Sequence, residues 1–409
     1  MARINIVIPA FSPVTFSGGL WCIFEYAHGL SQRGHQVTLI PSPPCAELPR
    51  WFDRDWGTLI TTPMSRRLKW ALEALGKSLK SGARLIGNGT SKAQLGQSLQ
   101  ELCATTALLR PGLLTYEFQN ALTVHYVERV IPQAEVTLAT SYRTGLPVAL
   151  VAPGRLYYFM QGYEPYFFRG DLSKSGQLAE REASLSYRLG LNMIANSSWL
   201  KSKVEQELPG SRVQLCVNAV NHEVFRSNPH LAKPTREINV VSYSGRSFEL
   251  KGFREIAEAI KIAREKLPDY RINLLVFGQK AELPPNNSVA PYEDFGFLQP
   301  RDLSKLHERG DIFLSASWYE SFPLFPLEAM ASGLPVITTP CGTEDYAIAG
   351  QTVEVVEARN PTSIANGLIR LITDVNYRNR IAKSGNEIAR QFTWEKSVAT
   401  LERLLVDGS

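Results

Sequence analysis

The sequence predicts an α/β protein with two parallel-sheet domains. Three observations predict this class. Short, continuous apolar runs of the kind that parallel sheets bury recur along the chain, as at residues 4–9 and 238–244. Stretches with one apolar face at helical spacing follow several of these runs. A length of 409 residues suffices for two domains of ordinary size.

Composition and charge are those of a globular protein. Apolar residues make up 44% of the chain and charged residues 20%, which excludes a disordered or fibrous class. The net charge of +5 fits a phosphorylated ligand or an anionic surface. The start of the chain is too short for a signal peptide, and no apolar run approaches the ~20 residues that span a membrane. The five cysteines are Cys22, Cys45, Cys103, Cys216 and Cys341. They are scattered, odd in number and without the spacing of a zinc site, so we expect a cytoplasmic location.

The first βαβ unit carries a pair of glycines at the start of its helix. Residues 4–9 form the predicted strand, Gly18 and Gly19 open an amphipathic helix, and residues 37–40 form the next strand. Paired glycines let a backbone approach a ligand closely, and they also serve ordinary tight turns. The pattern alone leaves both interpretations open.

Residues 65–86 predict a basic amphipathic helix within an insertion at residues 41–100. Leucines follow one side of it, and the other side is charged by Arg66, Arg67, Lys69, Lys77, Lys80 and Arg84. Such a helix can lie on an anionic bilayer surface. A helix packed on the first domain is the alternative.

The predicted strand at residues 155–160 ends at a polar and aromatic segment. Gln161, Gly162, Tyr163 and Glu164 follow the strand directly. Because α/β sheets bind ligands at the carboxyl ends of their strands, this segment is a candidate binding site. Loop packing and helix capping are the alternative roles.

Residues 226–235 are polar with two prolines, and we place an interdomain linker there. This gives a first domain at residues 1–225, a second domain at 236–390 and a C-terminal helix within 391–409. In the second domain, Gly245, Arg246 and Lys251 follow the strand at residues 238–244. Two cations between a strand end and a helix start suit a diphosphate, although solvated surface charges are the alternative.

The stretch at residues 315–338 combines a loop, a helix, a tight turn and a strand. Pro323 suits the first turn of the helix, which leaves the N–H groups of Leu324 and Phe325 free to face an anion. Glu320 lies in the loop and Glu328 on the helix. Each carboxylate accepts two hydroxyls at once, so the pair suits a polyhydroxylated ligand, unless both are merely solvated or capping.

Residues 320–337 resemble the glutamate–seven residues–glutamate signature of retaining glycosyltransferases of family 4, the glycogen synthase and sucrose synthase-like group. The resemblance implies the GT-B fold, with two Rossmann-like domains facing across a cleft, and a catalytic set of Glu320, Arg246 and Lys251. It implies a nucleotide-sugar donor, no catalytic metal and no cofactor. The implied donor-binding residues are Gly18, Gly19, Gly245, Arg246, Lys251, Gly278, Phe295, Gly296, Glu320, Ser321, Phe322, Leu324, Phe325 and Glu328.

Two further segments resemble parts of this family. Residues 161–165 resemble the Gln-Asp-Tyr-Glu-Pro element of rhamnan-assembling members, with Gly162 in place of the aspartate. This implies acceptor contacts at Gln161, Tyr163 and Glu164, and rhamnose transfer to a cell-surface polysaccharide such as lipopolysaccharide. The basic helix at residues 65–86 would place this transfer at the inner face of the cytoplasmic membrane. Residues 392–401 resemble the final helix that crosses back to the N-terminal domain.

Other functions fit the sequence less well. A UDP-hexose or GDP-mannose transferase and a non-catalytic nucleotide-sugar-binding or glycan-scaffold protein of the same fold both stay open. An NAD-dependent oxidoreductase is disfavoured, because the first strand–helix turn offers only Gly18 and Gly19 instead of the Gly-x-Gly-x-x-Gly fingerprint. A nucleic-acid role is disfavoured because the basic residues form no extended stripe with interleaved aromatics.

Overall fold

A computed structural model of the chain describes residues 1–11, 17–42, 51–52, 54–55, 57–60, 123–226, 229, 236–245, 248–278 and 291–407. The chain divides into two compact units. The first unit comprises Met1–Phe159 and Glu164–Met193, and the second comprises Met160–Tyr163 and Ile194–Ser409. The predicted basic helix at residues 65–86 and the predicted phosphate ligand Arg246 lie outside the described residues.

The first sheet has the spatial order β3-β2-β1-β4-β5-β6-β7 among the described strands. Its strands are β1 Arg3–Pro9, β2 Gln36–Ser42, β3 Thr58–Leu59, β4 Val136–Ala139, β5 Arg155–Met160, β6 Asn192–Ala195 and β7 Val213–Leu215. Pairing is parallel between β1 and its neighbours β2 and β4. This central position explains why the predicted run at residues 4–9 is apolar except for Asn5, with Ile4, Ile6, Val7 and Ile8 fully buried.

The helices between the strands of the first sheet are α1 Gly18–Gln32, α2 at residues 123–130, α3 Tyr142–Val151, α4 Lys174–Ser186 and α5 Ser198–Glu207. A 3₁₀ turn covers Glu164–Phe167. Helix α1 begins at Gly18, as the sequence predicts, and buries Leu20, Phe24 and Leu30 on its apolar face. The Ser197 hydroxyl accepts from the Leu200 N–H at 3.0 Å and so caps the start of α5.

The second sheet is parallel in every recorded pairing and has the order β10-β9-β8-β11-β12-β13 among the described strands. These strands are β8 Glu237–Tyr243, β9 Arg271–Phe277, β10 Glu293–Asp294, β11 Ile312–Leu314, β12 Val336–Thr338 and β13 Glu354–Val355. The helices are α6 Phe248–Lys251, α7 Phe253–Lys266, α8 Pro300–Arg309, α9 Leu324–Ala331, α10 Pro361–Thr373, α11 Val375–Ala389 and α12 Trp394–Glu402.

Both faces of the second sheet are covered. Val240 of β8 packs in one apolar cluster with Ile256 of α7 and Leu368 of α10. The next residue, Val241, packs in the other cluster with Leu327 of α9. Adjacent strand residues therefore face opposite cores, which is why these strands read as continuous apolar runs instead of alternating ones.

Two local predictions of strand position were wrong. The apolar sequence of residues 295–298 predicts a strand, but these residues are not a strand, because the extended backbone ends at Asp294 and Gly296 has a φ of +63°. Strand β2 continues through Pro41, although the predicted strand ends at residue 40 and the predicted insertion begins at residue 41. Proline is tolerated there because Pro41 pairs with Ile8 of β1, while among the described residues β3 pairs with Thr38 and Leu39.

Along the sequence, the predicted linker falls between the last strand of the first sheet, which ends at Leu215, and the first strand of the second sheet, which begins at Glu237. The compact units instead separate between Met193 and Ile194. Within the second unit, Thr393 at the start of α12 forms a β-bridge with Val220, which lies in the segment after β7. The domain ranges and the crossing role of the C-terminal helix stay predictions.

None of the helices in the described ranges is long and apolar enough to cross a membrane. Cys22, Cys216 and Cys341 form no disulfide with one another.

Candidate functional site

The second sheet has a topological switch point between β8 and β11. The chain runs outward from β8 through β9 to β10, and then returns to the other side of β8 at β11. Loops that leave the carboxyl ends of two such neighbouring strands diverge and open a crevice, where α/β sheets bind ligands. The described parts of those loops are residues 244–245 and 315–323, which contain or adjoin most of the predicted donor residues.

Lys251 and Glu320 meet at this switch point. Lys251 ends α6, and its Nζ donates to Glu320 Oε1 across the two loops. About a quarter of each side chain remains exposed, 27% for Lys251 and 24% for Glu320, so the pair is reachable by a ligand. Burial lowers the pKa of Lys251 to about 8, so the ammonium form predominates at neutral pH. The structure therefore brings together two residues of the predicted catalytic set.

Glycines press against the loop that carries Glu320 from two sides. Gly252 has a φ of +66°, and a Cβ there would lie 2.1 Å from the Ala316 carbonyl oxygen. Gly342 has a φ of +75°, and a Cβ there would lie 2.4 Å from the Glu320 carbonyl oxygen. Both positions need the left-handed backbone and the missing side chain of glycine. Close backbone packing thus fixes where Glu320 sits.

Helix α9 has the predicted start and end. Pro323 is its N-cap, so the N–H groups of Leu324 and Phe325 belong to the first turn, where a helix supplies no acceptors. At the other end Gly333 adopts a φ of +85°, and the Leu334 N–H donates back to the Ala329 carbonyl at 3.0 Å. The helix start therefore offers backbone donors beside the Lys251–Glu320 pair.

Glu328 carries a carboxyl group that is buried without a matching donor. Its Oε2 has no hydrogen-bond partner among the described residues. Burial raises the pKa of Glu328 to about 8. A buried acceptor without a donor is costly, which is a reason to expect a ligand that supplies hydroxyl donors.

An aromatic group borders this site. The ring centroids of Tyr243, Phe277 and Phe325 lie 4.5 to 5.3 Å apart. A Cβ at Gly278 would lie 2.7 Å from the Ser244 hydroxyl and 3.0 Å from the Tyr243 ring, so the lack of a side chain at Gly278 lets its backbone pack closely against Ser244 and Tyr243. The Gly278 N–H donates to the Gly296 carbonyl at 2.9 Å, which places these two predicted donor residues together.

Other predicted donor residues take different positions. The Ser321 hydroxyl donates to Asn196 Oδ1 at 2.5 Å, and the Phe322 ring is buried against Tyr346 at 5.6 Å between centroids. The Phe295 ring lies under the Arg309 guanidinium at 4.9 Å. Ser321, Phe322 and Phe295 therefore use their side chains for packing. Gly18 and Gly19 open α1 in the first unit, and Gly245 has a φ of +78° directly after β8.

The predicted acceptor residues fall in both units. Gln161 and Tyr163 belong to the second unit and Glu164 to the first. The Glu164 carboxylate accepts from the Tyr158 hydroxyl and from the Tyr142 N–H at 2.8 Å, so it caps the start of α3. Burial raises the pKa of Glu164 to about 7. This is the capping role that the sequence left open.

Sequence reasoning missed two residues of the Glu320 neighbourhood. Tyr319 bonds to the backbone of Tyr163, and Asp345 accepts from the Ser198 N–H at 2.9 Å at the start of α5. The only signal for Tyr319 was its place next to Glu320. Asp345 lies in the loop after β12, where no local pattern distinguishes it.

Comparison with known proteins places these features in a family context. Residues 238–374 match the family Glycosyl transferases group 1. D-inositol 3-phosphate glycosyltransferase of Corynebacterium glutamicum is 31% identical over 214 residues, which cover 49% of this chain and 50% of that protein. The chain thus spans about half the length of the curated relatives it matches.

Solved structures show the fold of the whole chain. Sucrose-phosphate synthase from Thermosynechococcus elongatus superposes with a TM-score of 0.67 at 15% identity, covering 99% of this chain and 98% of that one. Anabaena Alr3699/HepE in complex with UDP and glucose gives a TM-score of 0.62 at 15% identity, with 98% and 99% covered. The chain has the GT-B fold. The predicted α/β class with two Rossmann-like domains is confirmed.

Proposed function

We propose that this chain is a retaining glycosyltransferase of family 4, which takes its sugar from a nucleotide-diphosphate donor bound to the second unit. One observation carries the proposal. The Lys251–Glu320 pair lies at the switch point of the second sheet, and the helix that follows, α9, carries Glu328, whose Oε2 is buried without a partner among the described residues. The family match over residues 238–374 covers this same region and supports the assignment.

The diphosphate of the donor would lie against Lys251 and the first N–H groups of α9. An ammonium and a helix start both favour an anion, and they stabilise the charge that develops as the nucleotide departs. Arg246 is proposed to join them from the sequence. Because these groups can neutralise the phosphates, we propose that transfer needs no metal ion.

Glu328 would accept the ribose hydroxyls, which supply the donors that its buried carboxyl lacks. Glu320 would contact the donor sugar near the anomeric carbon, after the diphosphate has drawn Lys251 away from it. The aromatic group of Tyr243, Phe277 and Phe325 lies beside Gly278 and Gly296, the positions assigned to the nucleotide. Together these contacts would orient the donor, which is the main source of rate in this chemistry.

In the proposed reaction an acceptor oxygen forms the new bond to the anomeric carbon on the face from which the phosphate leaves. The bond from that carbon to the phosphate oxygen breaks, and the acceptor hydroxyl proton passes to the departing phosphate. The anomeric configuration is then retained without a covalent enzyme intermediate. Anomeric proton couplings in the isolated product would test this step.

The donor sugar and the acceptor follow less directly. HepE was solved with UDP and glucose, and the curated relatives are named for transfer to inositol 3-phosphate. These names favour a hexose from UDP and a phosphorylated or lipid-linked acceptor. Rhamnose transfer from dTDP or GDP onto a cell-surface polysaccharide stays a prediction from residues 161–165, and a peripheral membrane position one from residues 65–86.

Substitution of Lys251 by alanine and of Glu320 by glutamine tests the assignment. Both variants should lose more than about 99% of transfer while the thermal unfolding midpoint stays close to that of the wild type, because each removes a group proposed to act on the donor. Lys305→Ala is the matched control, since Lys305 pairs with Asp302 on an exposed surface of the same unit. Near-normal turnover in either site variant would sink the assignment. Donor binding without any turnover by the wild type would support the non-catalytic alternative.

A further inference from the structure

The hydroxyl of Tyr319 holds the backbone of Tyr163 at two points. The Tyr163 N–H donates to the Tyr319 oxygen at 2.7 Å, and the same hydroxyl donates to the Tyr163 carbonyl at 3.1 Å. One side chain thus satisfies both backbone groups of a residue 156 positions away in the sequence. Neither bond involves the side chain of Tyr163, so the hydroxyl fixes the path of the chain itself.

The ring of Tyr319 is supported from a helix. Its centroid lies 5.3 Å from that of Trp199, with an interplanar angle of 71°. Trp199 lies in the first turn of α5, where the Asp345 carboxylate accepts from the Ser198 N–H at 2.9 Å. The Lys203 ammonium of the same helix lies 5.6 Å above the Tyr163 ring. Tyr319 and Tyr163 are therefore both anchored on α5.

The Tyr163 backbone is the last part of a short excursion of the chain. Met160–Tyr163 belong to the second unit, while the residues before and after them belong to the first. Glu164 is held within the first unit, since its N–H donates to the Tyr187 hydroxyl at 3.1 Å and its carboxylate accepts from Tyr142 and Tyr158. The Tyr319 clamp thus sits at the residue where the chain leaves the second unit.

We infer that Tyr319 is a positioning residue, which fixes Met160–Tyr163 next to the loop of Glu320. Since Gln161 and Tyr163 are the predicted acceptor contacts in this segment, Tyr319 would tie the acceptor contacts to the unit that binds the donor. This acceptor role rests on the proposed function. The Lys251 ammonium bonds to Glu320, whereas the Tyr319 hydroxyl bonds to the Tyr163 backbone, so donor binding should not need this hydroxyl.

Amide hydrogen exchange of the Tyr319→Phe variant tests the clamp without any ligand. Phenylalanine keeps the ring against Trp199 and removes only the hydroxyl, so the variant should fold. The Tyr163 amide, followed in peptides from residues 160–167, should exchange about fivefold faster than in the wild type, because a hydrogen bond contributes about 1 kcal/mol. Peptides from α3 and α9 should exchange as before.

Tyr377→Phe is the matched control, because it removes another bonded tyrosine hydroxyl of the second unit, the one that donates to Glu354. It should leave exchange at residues 160–167 unchanged. Wild-type exchange of the Tyr163 amide in Tyr319→Phe would overturn the inference. So would an equal acceleration in Tyr377→Phe, which would indicate general loosening of the unit.

The role in the reaction is tested by the ratio of transfer to donor hydrolysis, with UDP-glucose, GDP-mannose and dTDP-rhamnose as donors and a membrane lipid extract as acceptor. Tyr319→Phe should lower this ratio about tenfold and leave the midpoint shift caused by UDP, GDP or dTDP unchanged. An unchanged ratio together with fast exchange would overturn the acceptor role and leave the clamp. If the wild type binds no nucleotide and turns over no donor, the proposed function fails, and hydrogen exchange alone decides the clamp.

Discussion

At the residue scale, Lys251 and Glu328 each hold a titratable group in surroundings that disfavour its charge. Burial brings the pKa of both groups to about 8, from above for the lysine and from below for the carboxyl. Neither arrangement stabilises the unliganded fold at neutral pH, since a buried charge without full hydrogen bonding costs free energy. Such groups are typical of sites where a ligand completes the interactions.

Replacing Glu328 by glutamine should stabilise the unliganded protein at high pH. The folded pKa of Glu328 is raised from 4.5 to about 8, so the unfolded chain binds fewer protons than the folded one between these values. Wild-type stability therefore falls with rising pH in this window, by at most about 1.4 kcal/mol per pH unit from this group. The glutamine amide in the variant does not titrate, so the midpoint of the variant should exceed that of the wild type at pH 8 and differ little at pH 5.

A carboxyl group whose pKa is lowered in the folded protein, instead of raised, serves as the control. The Arg3 guanidinium lowers the pKa of Glu135 to about 2, so this carboxylate contributes stability at and above neutral pH. Glu135→Gln should therefore not raise the midpoint at pH 8. If Glu328→Gln also failed to raise it, the burial of an unpartnered carboxyl at Glu328 would be contradicted.

Nucleotide affinity should fall as the Lys251 ammonium loses its proton. Above a pKa of about 8, binding of a diphosphate must first restore that proton, so Kd should rise toward tenfold per pH unit. Calorimetric titration with the best-binding nucleotide at pH 7, 8 and 9 measures this slope. Lys251→Arg keeps its charge throughout this range and should show a flatter profile than the wild type, with the remaining slope due to Glu328. A flat wild-type profile would argue against phosphate contact by Lys251.

At the scale of the elements, the site depends on how closely α6 and the loop after β11 approach. The Trp318 N–H donates to the Leu250 carbonyl at 2.9 Å, and Gly252 packs against the Ala316 carbonyl where no Cβ would fit. These backbone contacts hold the end of α6 and the residue before α7 against the loop, and they place Lys251 against Glu320. Side-chain chemistry at the site is thus set by backbone packing between two segments that are distant in sequence.

Gly252→Ala should therefore damage both stability and nucleotide binding. The left-handed backbone at Gly252 costs a non-glycine residue about 1–2 kcal/mol, and the Cβ would also displace the loop at Ala316. Gly210→Ala is the control, because Gly210 has a φ of +90° but no atom within 4 Å of an added Cβ. The Gly252 variant should unfold at a lower temperature than the Gly210 variant and lose the nucleotide-induced shift. Equal effects of the two substitutions would contradict this packing account.

At the scale of the whole molecule, the chain has the GT-B fold, and residues 238–374 of its second domain match the family Glycosyl transferases group 1. The switch point of the second sheet supplies the proposed donor site. The first unit supplies a βαβ start with Gly18 and Gly19. We propose that the second sheet binds the nucleotide-sugar donor and that the segment around residue 163 contacts the acceptor.

Attachment to anionic membranes is predicted from the sequence of residues 65–86 alone. The purified protein should float with vesicles that contain anionic lipid at low salt and stay unbound with zwitterionic vesicles, because each basic residue near such a surface contributes about 1 kcal/mol. Reversal of charge at Arg66 and Arg67 should weaken flotation. Failure to float with anionic vesicles would remove the membrane hypothesis.

The fold and the core of the candidate site could be predicted because their signals are local. Buried strands read as apolar runs, and Glu320, Pro323, Glu328 and Gly333 lie within one short stretch around α9. The role of Tyr319 could not be predicted, because it depends on contacts formed only after folding. For Glu164 the sequence left helix capping and acceptor contact both open. A tyrosine that clamps a backbone 156 residues away leaves no pattern in the sequence.

The most direct test of the donor site compares thermal stabilisation by UDP, GDP and dTDP in the wild type and in Lys251→Ala. A ligand that binds only the folded protein stabilises it by about 2.7 kcal/mol at a hundredfold excess over Kd. We expect a raised unfolding midpoint with one of these nucleotides and little or no shift in the variant. No shift with any of them, or a shift that survives the loss of Lys251, would contradict a donor site at the switch point of the second sheet.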